Sequence, residues 1–327
     1  MFRISRAARA EVRNVFVEVS AEGITGRGEA SPNAYFDETA GNVVDLLCAA
    51  TAFVEGLEIE SVADIQRVWL EAWPWLAPSR AAQCALDLAL WDWLARRKGT
   101  SVAELALGRP AHVVETFCTV GLSGASELEL KAAELRGFPL IKMKSDSLAD
   151  LAPLALMRKR TGAVLAVDAN CAWERVDMAA ISRELAQLGV LFIEQPLSPA
   201  SDERMPELLA TSVLPILADE SCVTLEDVEW MPGRFSGFNI KLVKCGGLTP
   251  ALAMARRGRE LGLRTMVGCM LESSLLIAAG AVVAQETDYA DLDGAWLLRD
   301  DPFAGLPLRQ GVLMPGAGPG FGVEPVG

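Results

Sequence analysis

Eight short apolar runs constrain the fold of this chain more than any other feature of its sequence. They recur between residues 115 and 294, and roughly one helix of sequence separates each run from the next. Near-continuous hydrophobic strands that alternate with helices are typical of repeated βαβ units in a parallel sheet. Eight of them suggest a closed α/β barrel. The runs are ETFCTVG, PLIKMK, AVLAVDAN, VLFIEQP, LPILADES, GFNIKLVK, LRTMVGCM and YADLDG.

The residues on either side of these runs have a different organisation. The N-terminal part predicts strands at 11–19 and 24–30, then a buried packing helix in RAAQCALDLALWDWLARRKG that ends at Gly99. The tail from Gly305 is too rich in Gly and Pro for another βα unit. The predicted parts are an α+β capping domain at 1–110, a modified TIM barrel at 111–304 and a tail at 305–327 that packs back on the cap.

Composition excludes several classes of partner. The 327 residues are 51% hydrophobic, which is enough for a sizeable core and more than one domain. A net charge of −13 leaves no basic stripe for nucleic acid or for an anionic membrane surface, so we expect neither as a partner. The seven cysteines are scattered without a Cys-x-x-Cys, which fits a reducing cytoplasm better than a disulfide framework. The sequence leaves open whether the chain forms a homo-oligomer.

Three strands of the predicted barrel end in a carboxylate: Asp168, Glu194 and Asp219. Active sites of parallel barrels form at the C-terminal ends of the strands, and one βα unit separates each carboxylate from the next. Each alone would be read as a helix cap or a loop anion. Together they should stand side by side, and such like charges need a hard divalent cation. Because the chain has one histidine, we expect Mg²⁺, or Mn²⁺, rather than zinc.

Lysines occupy the ends of two other strands. Lys142 and Lys144 lie two residues apart on the second strand and therefore point to the same side, while Lys241 closes the sixth strand across the barrel. A lysine acts as a base only when neutral, so its pKa must fall from ~10.4 toward ~7 to 8. In isolation IKMK would be read as a solvated edge strand, but beside three carboxylates it predicts catalytic bases. We expect the polar residues next to the carboxylates to support them: Asn170, Gln195 and Glu220.

The chain resembles the enolase superfamily, and within it the dipeptide epimerases of the L-Ala-D/L-Glu type. The resemblance is carried, in family order, by FRISRAARAEV, GRGEASP, ALDLALWDWLARR, IKMK, VDANCAW, IEQPL, ADES, NIKLVKCGGLT, GCMLESS and DLDG. It implies a (β/α)7β barrel in which a substrate carboxylate chelates Mg²⁺, a base removes the α-proton and the metal stabilises the enediolate. The chain starts almost at the first block, whereas the family usually has a strand before it. Whether the true start codon lies further upstream is left open.

The resemblance also implies roles for individual residues. Lys144 and Lys241 would be the two bases on opposite faces of the substrate α-carbon, and Lys142 would assist its carboxylate. An Asp-x-Asp after the eighth strand, here Asp291 and Asp293, would bind the free α-ammonium of a dipeptide, because ammonium needs ionised acceptors in a half-dry pocket. A β-turn is the simpler interpretation of Asp293 alone. Further substrate contacts implied by the resemblance are Thr119, Cys269 and Arg9.

These observations predict a Mg²⁺-dependent enzyme that inverts the α-carbon of the C-terminal residue of a dipeptide, with L-Ala before Glu as the first substrate to test. Muconate cycloisomerases, o-succinylbenzoate synthases and N-acylamino acid racemases share the lysine and metal set, but they would not need Asp291 and Asp293 as an ammonium site. A non-catalytic, metal-dependent binding protein is the alternative from another class. The intact lysine pair argues against it.

Overall fold

The computed structural model describes residues 2–4, 7–9, 11–146, 148–316 and 318–327, with backbone alone for 2–4 and 7–9. The N-terminal part begins with two antiparallel hairpins. The predicted second hairpin is confirmed, but its first strand begins at Val15 rather than at residue 11. The strands are β1 (Phe2–Ile4), β2 (Ala7–Arg9), β3 (Val15–Ala21) and β4 (Ile24–Ala30). The helices are α1 (Ala40–Ala49), α2 (Thr51–Glu55), α3 (Val62–Glu71), α4 (Trp73–Leu76), α5 (Arg80–Arg97) and α6 (Val102–Leu107).

Helix α5 is the predicted packing helix, and it is more deeply buried than one apolar face requires. It begins after Ser79, whose side chain accepts a hydrogen bond from the Ala82 N–H, and every residue from 81 to 95 is buried. Strand β4 lies directly on it: a Cβ added at Gly28 would lie 1.9 Å from the carbonyl oxygen of Ala85. Only glycine allows so close an approach, so the hairpin and α5 form one unit.

The eight apolar runs form a parallel eight-stranded sheet in chain order, which confirms the barrel. The first strand lies beside the eighth, because the Phe117 N–H donates to the Ala290 carbonyl at 2.8 Å. Five side chains fill the barrel interior in a separate buried cluster: Phe117, Ala166, Phe192, Leu217 and Met266. The strands are β6 (Cys118–Val120), β7 (Leu140–Lys144), β8 (Val164–Asp168), β9 (Val190–Glu194), β10 (Ile216–Ala218), β11 (Gly237–Lys241), β12 (Arg264–Gly268) and β13 (Tyr289–Asp291).

Helices connect most of these strands. The connection between β10 and β11 is the exception among the described residues, since it has only a 3-10 turn at Glu226–Trp230. Within the described part of the chain, no helix is long and apolar enough to cross a membrane. The barrel helices are α7 (Ala125–Glu134), α8 (Ala152–Arg160), α9 (Met178–Gln187), α10 (Met205–Thr211), α11 (Leu242–Cys245), α12 (Leu248–Glu260) and α13 (Ser274–Val283).

The C-terminal tail contacts α5. Arg96 Nη1 lies 2.8 Å from Glu324 Oε1, and the Phe321 N–H donates to Asp92 Oδ1 at 2.9 Å. Short antiparallel pairs join the tail strands to each other and to the segment before the barrel. The strands are β5 (Val114–Glu115), β14 (Phe303–Ala304), β15 (Leu308–Arg309), β16 (Val312–Leu313) and β17 (Glu324–Pro325).

Candidate active site

The three carboxylates predicted from the strand ends lie together. Asp168 and Glu194 end β8 and β9 and are paired in the sheet register, and Asp219 directly follows β10. All three are buried, and one oxygen of each lies within 4.8 Å of the other two. Parallel pairing brings consecutive strand ends to one edge of the barrel, so the spacing of one βα unit produces this cluster.

Three lysines neutralise these buried carboxylates. Lys144 Nζ lies 2.5 Å from Asp168 Oδ2, and Lys241 Nζ lies 2.8 Å from Asp219 Oδ2. Lys142 is 1% exposed, and its Nζ lies 2.8 Å from Glu194 Oε2. The structure therefore brings all three predicted lysines to the carboxylates. Buried charges of one sign are tolerated only with partners of this kind.

The pKa directions follow from these pairs. Burial, followed by the charge of Asp168, raises the pKa of Glu194 to about 7. Burial would raise the pKa of Asp168 as well, but the ammonium groups of Lys144 and Lys142 hold it below its usual value. Burial would likewise lower the pKa of Lys241, but the nearby carboxylates, Asp219 first, raise it. In the cluster by itself, the raised pKa of Lys241 is opposite to the lowered lysine pKa expected from the sequence, because its Nζ contacts Asp219 directly.

The donor set fits a hard divalent cation. The ligand atoms are carboxylate oxygens from three residues, all of them buried, with no histidine or thiolate in the cluster. Mg²⁺ and Mn²⁺ take oxygen ligands, whereas zinc and copper favour imidazole and sulfur. Asp168, Glu194 and Asp219 are thus the residues that would hold Mg²⁺.

Two residues at this site were missed by the sequence analysis. Lys244 is buried, and its Nζ donates to Asp219 Oδ1 at 2.7 Å and to the Asp219 carbonyl at 2.6 Å. Asn239 donates from Nδ2 to Glu194 Oε1 at 2.7 Å. The available signal was the spacing within NIKLVK. Asn239 lies two residues before Lys241 on the same strand face, and the helical turn after the strand brings Lys244 back to the same carboxylate.

The residues expected to support the carboxylates lie next to them. The Asn170 backbone N–H donates to Asp168 Oδ1 at 2.8 Å. Gln195 Oε1 accepts from the Asp219 N–H at 2.7 Å and from the Ser221 N–H at 3.1 Å, and so orients the loop that carries Asp219. Glu220 is buried and lines the cavity described below.

The aspartate pair lies at the end of the barrel's last strand, with Asp291 as the last residue of β13 and Asp293 just after it, and both share one partner. Thr119 donates from Oγ1 to Asp291 Oδ1 at 3.0 Å and from its backbone N–H to Asp293 Oδ2 at 2.6 Å. Lys142 Nζ lies 2.5 Å from Asp291 Oδ2, a contact that the sequence did not predict. Burial, followed by the charge of Asp291, raises the pKa of Asp293 to about 7. Lys142 thus links this pair to the carboxylate cluster.

The four lysines, Asp219 and the aspartate pair line one cavity of about 390 Å³. Cys269 lies on its wall, and its Sγ contacts the Asp291 carbonyl at 3.1 Å. The capping domain closes one side of the cavity with residues 33–36. The predicted contact from Arg9 falls on a side chain outside the described part of the chain, as does the whole of neighbouring Arg6.

A barrel whose strand ends carry these carboxylates and lysines is typical of enzymes that move a proton next to a substrate carboxylate with the help of a metal. The sequence comparison agrees with that class. Residues 126–326 match the enolase C-terminal domain-like family, and residues 1–108 match the mandelate racemase / muconate lactonizing enzyme N-terminal domain. The chain belongs to this family of the enolase superfamily.

Close relatives are isomerases. The chain is 39% identical over 312 residues to an L-Ala-D/L-amino acid epimerase from Flavobacterium johnsoniae, covering 95% of this chain and 92% of the relative. It is 38% identical over 316 residues to the L-Ala-D/L-Glu epimerase of Escherichia coli, and the match covers 95% of this chain and 94% of the relative. The crystal structure of a dipeptide epimerase from Methylococcus capsulatus, complexed with Mg and the dipeptide L-Arg-D-Lys, has a TM-score of 0.88 at 31% identity, covering 98% and 94%.

Proposed function

We propose that this chain is a Mg²⁺-dependent dipeptide epimerase that inverts the α-carbon of the C-terminal residue of its substrate. The observation that carries the proposal is the placement of Lys144 and Lys241. They close the second and the sixth of eight strands, on opposite sides of the barrel. Both line one cavity, and each contacts a carboxylate of the cluster. A substrate carboxylate at the cluster would have its α-carbon between the two amines.

Inversion needs two bases because the proton leaves one face and returns to the other. One lysine, in its neutral form, takes the α-proton, and the electron pair of the C–H bond moves toward the substrate carboxylate. The second lysine, in its ammonium form, delivers a proton to the opposite face. When bound, Mg²⁺ would supply positive charge to the substrate carboxylate and to the three protein carboxylates. Lys142, fully buried between Glu194 and Asp291, remains an ammonium group and faces the same carboxylate region.

The other end of the dipeptide defines the substrate class. Asp291 and Asp293 offer carboxylate oxygens to a free α-ammonium, with Thr119 holding both and Cys269 beside them. An N-acylated amino acid has no such ammonium, so this pair favours dipeptides over the substrates of N-acylamino acid racemases. L-Ala-D/L-Glu is the first substrate we propose, with Arg9 as the contact for the Glu side-chain carboxylate.

The rest of the chain supports this site in the proposed scheme. Asn170, Gln195 and Glu220 orient the metal-binding loops, and the parts 1–110, 111–304 and 305–327 act as cap, barrel and returning tail. None of the seven cysteines, all of which lie in the described residues, forms a disulfide, which favours a reducing compartment such as the cytoplasm.

The test is incubation of the protein with Mg²⁺ and pooled L,L-dipeptides in D₂O, followed by mass spectrometry. Substrates should gain one deuterium, because the returning proton comes from a lysine that exchanges with solvent. The matched control is the Lys144→Ala/Lys241→Ala double variant, which should leave every pool unlabelled. Labelling of N-acetylated amino acids in place of dipeptides would support the racemase alternative, and no labelling in any pool would favour a binding protein.

A further inference from the structure

We propose that Asp87, a buried residue of the capping-domain helix α5, is a positioning residue for Lys241. The inference rests on the proposed function, because it concerns the base on one face of the substrate. In this proposal the capping domain has two roles: it closes one side of the cavity, and it also positions a base of the barrel. The connecting piece is the segment 242–249, which follows Lys241 and leads into helix α12.

The first end of this segment is attached to the carboxylate cluster. Lys241 Nζ lies 2.8 Å from Asp219 Oδ2, and Lys244 Nζ donates to Asp219 Oδ1 at 2.7 Å. Lys244 also donates to the carbonyls of Cys222 and Asn239, at 3.0 Å and 3.1 Å. Lys241 and Lys244 therefore contact the two oxygens of the same carboxylate. A shift of the segment 242–249 would displace Lys244 directly and Lys241 through the adjoining backbone.

The second end is attached to the capping domain. Asp87 Oδ2 accepts from the Thr249 N–H at 3.0 Å, and Asp87 Oδ1 accepts from Thr249 Oγ1 at 2.5 Å. Helix α12 begins after Gly247, which has no side chain to cap it, so the acceptor for its first turn comes from α5. Trp69 of α3 adds a second contact, from its indole N–H to the Gly246 carbonyl at 2.7 Å.

The two ends are rigidly joined. The Leu242 carbonyl, next to Lys241, accepts from both the Gly246 N–H and the Gly247 N–H at 2.9 Å. A Cβ at Gly247 would lie 2.4 Å from Asp87 Oδ2, so the turn lies directly against α5. Helix α11 and the Gly246–Gly247 turn thus separate the Asp87 contact at Thr249 from Lys241, and hydrogen bonds hold this short connection together.

Within the described residues, the contact that holds Lys144 lies in the barrel rather than in the cap. Lys144 lies on β7, on the opposite side of the barrel, and is held by Asp168. Loss of the Asp87 contact should therefore impair one face of the substrate and spare the other. General destabilisation of the protein would impair both faces alike, so the ratio of the two rates separates a positioning role from a structural one.

The experiment follows the α-proton exchange of L-Ala-L-Glu and L-Ala-D-Glu in D₂O by ¹H NMR, in the Mg²⁺ form of the full chain. The pH is kept above the Asp87 pKa of about 7, so that both oxygens of an ionised carboxylate accept hydrogen bonds. The Lys241→Ala variant first identifies the epimer that depends on Lys241. In Asp87→Asn, exchange of that epimer should fall roughly 10- to 100-fold, the loss expected when a reacting group is misplaced by about 1 Å. Exchange of the other epimer should stay within about threefold of the parent rate, because it depends on Lys144, whose position the substitution leaves unchanged.

Asp92→Asn is the matched control. Asp92 is also buried on α5, but it accepts from the backbone N–H groups of Arg27 and Phe321, away from the Lys241 segment. It should leave the ratio of the two exchange rates at the parent value even where stability falls. If Asp87→Asn does not fold, Trp69→Phe removes the contact to Gly246 and should lower the same epimer's exchange.

Two results would overturn the inference: an equal loss for both epimers in Asp87→Asn, or an equal shift of the ratio in Asp92→Asn. A parent protein that exchanges neither epimer would instead contradict the proposed function. Amide hydrogen exchange of residues 242–249 then decides the inference separately. Faster exchange of that segment in Asp87→Asn supports it, and unchanged exchange overturns it.

Discussion

At the scale of single residues, Lys142 connects the carboxylate cluster with the aspartate pair. Its Nζ lies 2.8 Å from Glu194 and 2.5 Å from Asp291, so one ammonium group contacts both the carboxylate cluster and the aspartate pair. Carboxylates on both sides, Asp291 first, outweigh burial and raise its pKa well above the ordinary value. A residue held in this way stays charged, which suits a role at the substrate carboxylate and leaves the role of base to Lys144 and Lys241.

The two lysines proposed as bases should be separable by mutation. In Lys241→Ala, Lys144 can still remove and return the proton of one epimer, so that epimer alone should exchange its α-hydrogen with D₂O without inverting. Epimerisation should fall by at least about 10³-fold in both directions, because every turnover needs both faces. ¹H NMR of each epimer measures both quantities. Exchange of both epimers at equal rates, or epimerisation near the parent rate, would show that the lysines are wrongly assigned.

The aspartate pair should determine how well a free ammonium binds. Asp293→Asn keeps the Lys142–Asp291 pair but removes one ionised acceptor, so KM for L-Ala-L-Glu should rise roughly 10-fold or more, since a charge-assisted hydrogen bond contributes ~1.5 to 3 kcal/mol. Steady-state kinetics measure the change. The control is N-acetyl-L-Ala-L-Glu, which should react poorly with the parent and with the variant. An acetylated substrate that matches the free dipeptide would remove the ammonium site from the proposal.

At the scale of elements, the site depends on close approaches between helices and turns. The turn at Gly246 and Gly247 has φ values of +100° and +124°, in the region that favours glycine. It also lies directly against α5, since a Cβ at Gly246 would lie 2.7 Å from Gln83 Oε1. The glycines therefore serve both the backbone conformation and the contact between cap and barrel.

Gly247→Ala tests this contact against Gly262→Ala. Both glycines have positive φ, but a Cβ at Gly262 would have no heavy atom within 4 Å. Gly262→Ala should lower the free energy of unfolding by about 1 to 2 kcal/mol through backbone strain alone. Gly247→Ala should cost about 1 to 3 kcal/mol more, because Asp87 must move and because the Gly247 backbone (φ +124°, ψ −168°) lies in a region that is nearly exclusive to glycine. Urea denaturation measures the difference, and equal losses in the two variants would contradict the close approach.

At the scale of the whole molecule, metal binding should be coupled to folding. The chain carries a net charge of −13, and three of its carboxylates are buried at one edge of the barrel. A divalent cation there binds the folded state and not the unfolded chain, which lacks the cluster. Its binding is therefore coupled to the stability of the protein as well as to its activity.

Metal removal should show both effects. EDTA should abolish epimerisation, and Mg²⁺ or Mn²⁺ should restore it. The melting temperature should rise with Mg²⁺ concentration, by an amount equivalent to about 2.7 kcal/mol at 100 times Kd. Differential scanning calorimetry in Mg²⁺ and in EDTA measures this, with Asp219→Asn as the control that should lose most of the rise. Full turnover in metal-free buffer would contradict the metal site.

Stability should also depend on pH through Asp87. Burial raises its pKa to about 7 from the ordinary 3.8, so between those values the folded state keeps a proton that the unfolded chain has lost. Stability is therefore lost as pH rises through this window. From pH 5 to pH 7 the parent should lose about 2 to 3 kcal/mol that Asp87→Asn does not. Urea denaturation at pH 5, 6, 7 and 8 measures the difference between the two proteins.

Asp64 provides a control of opposite sign. It is half-buried, and a hydrogen bond from the Ser61 side chain, followed by one from the Glu60 N–H, lowers its pKa. Its contribution to stability is present above the ordinary pKa and is lost as pH falls through the lowered one. The difference between Asp64→Asn and the parent should therefore not grow between pH 5 and pH 8. Identical pH slopes for the parent and Asp87→Asn would show that Asp87 titrates normally.

The sequence alone determined the barrel and the position of its metal-binding edge. Alternation of apolar runs with helices requires parallel strands, and parallel strands bring all their C-terminal ends to one edge. Asp168, Glu194 and Asp219 each end one such run, so their meeting follows from spacing along the chain. The side of β7 that carries Lys142 and Lys144 follows in the same way from the two-residue period of a strand.

Only the tertiary structure decided which charges touch. Lys142 contacts Asp291, which is 149 residues further along the chain, and Asp87 contacts Thr249, which is 162 residues further along. Such contacts depend on where the barrel closes and on how deeply α5 lies against the turn after β11, and no local period records either quantity. The direction of the lysine pKa shifts was decided in the same way. Burial and ion pairing act in opposite directions, and the outcome depends on distances of a few ångströms that only the folded chain sets.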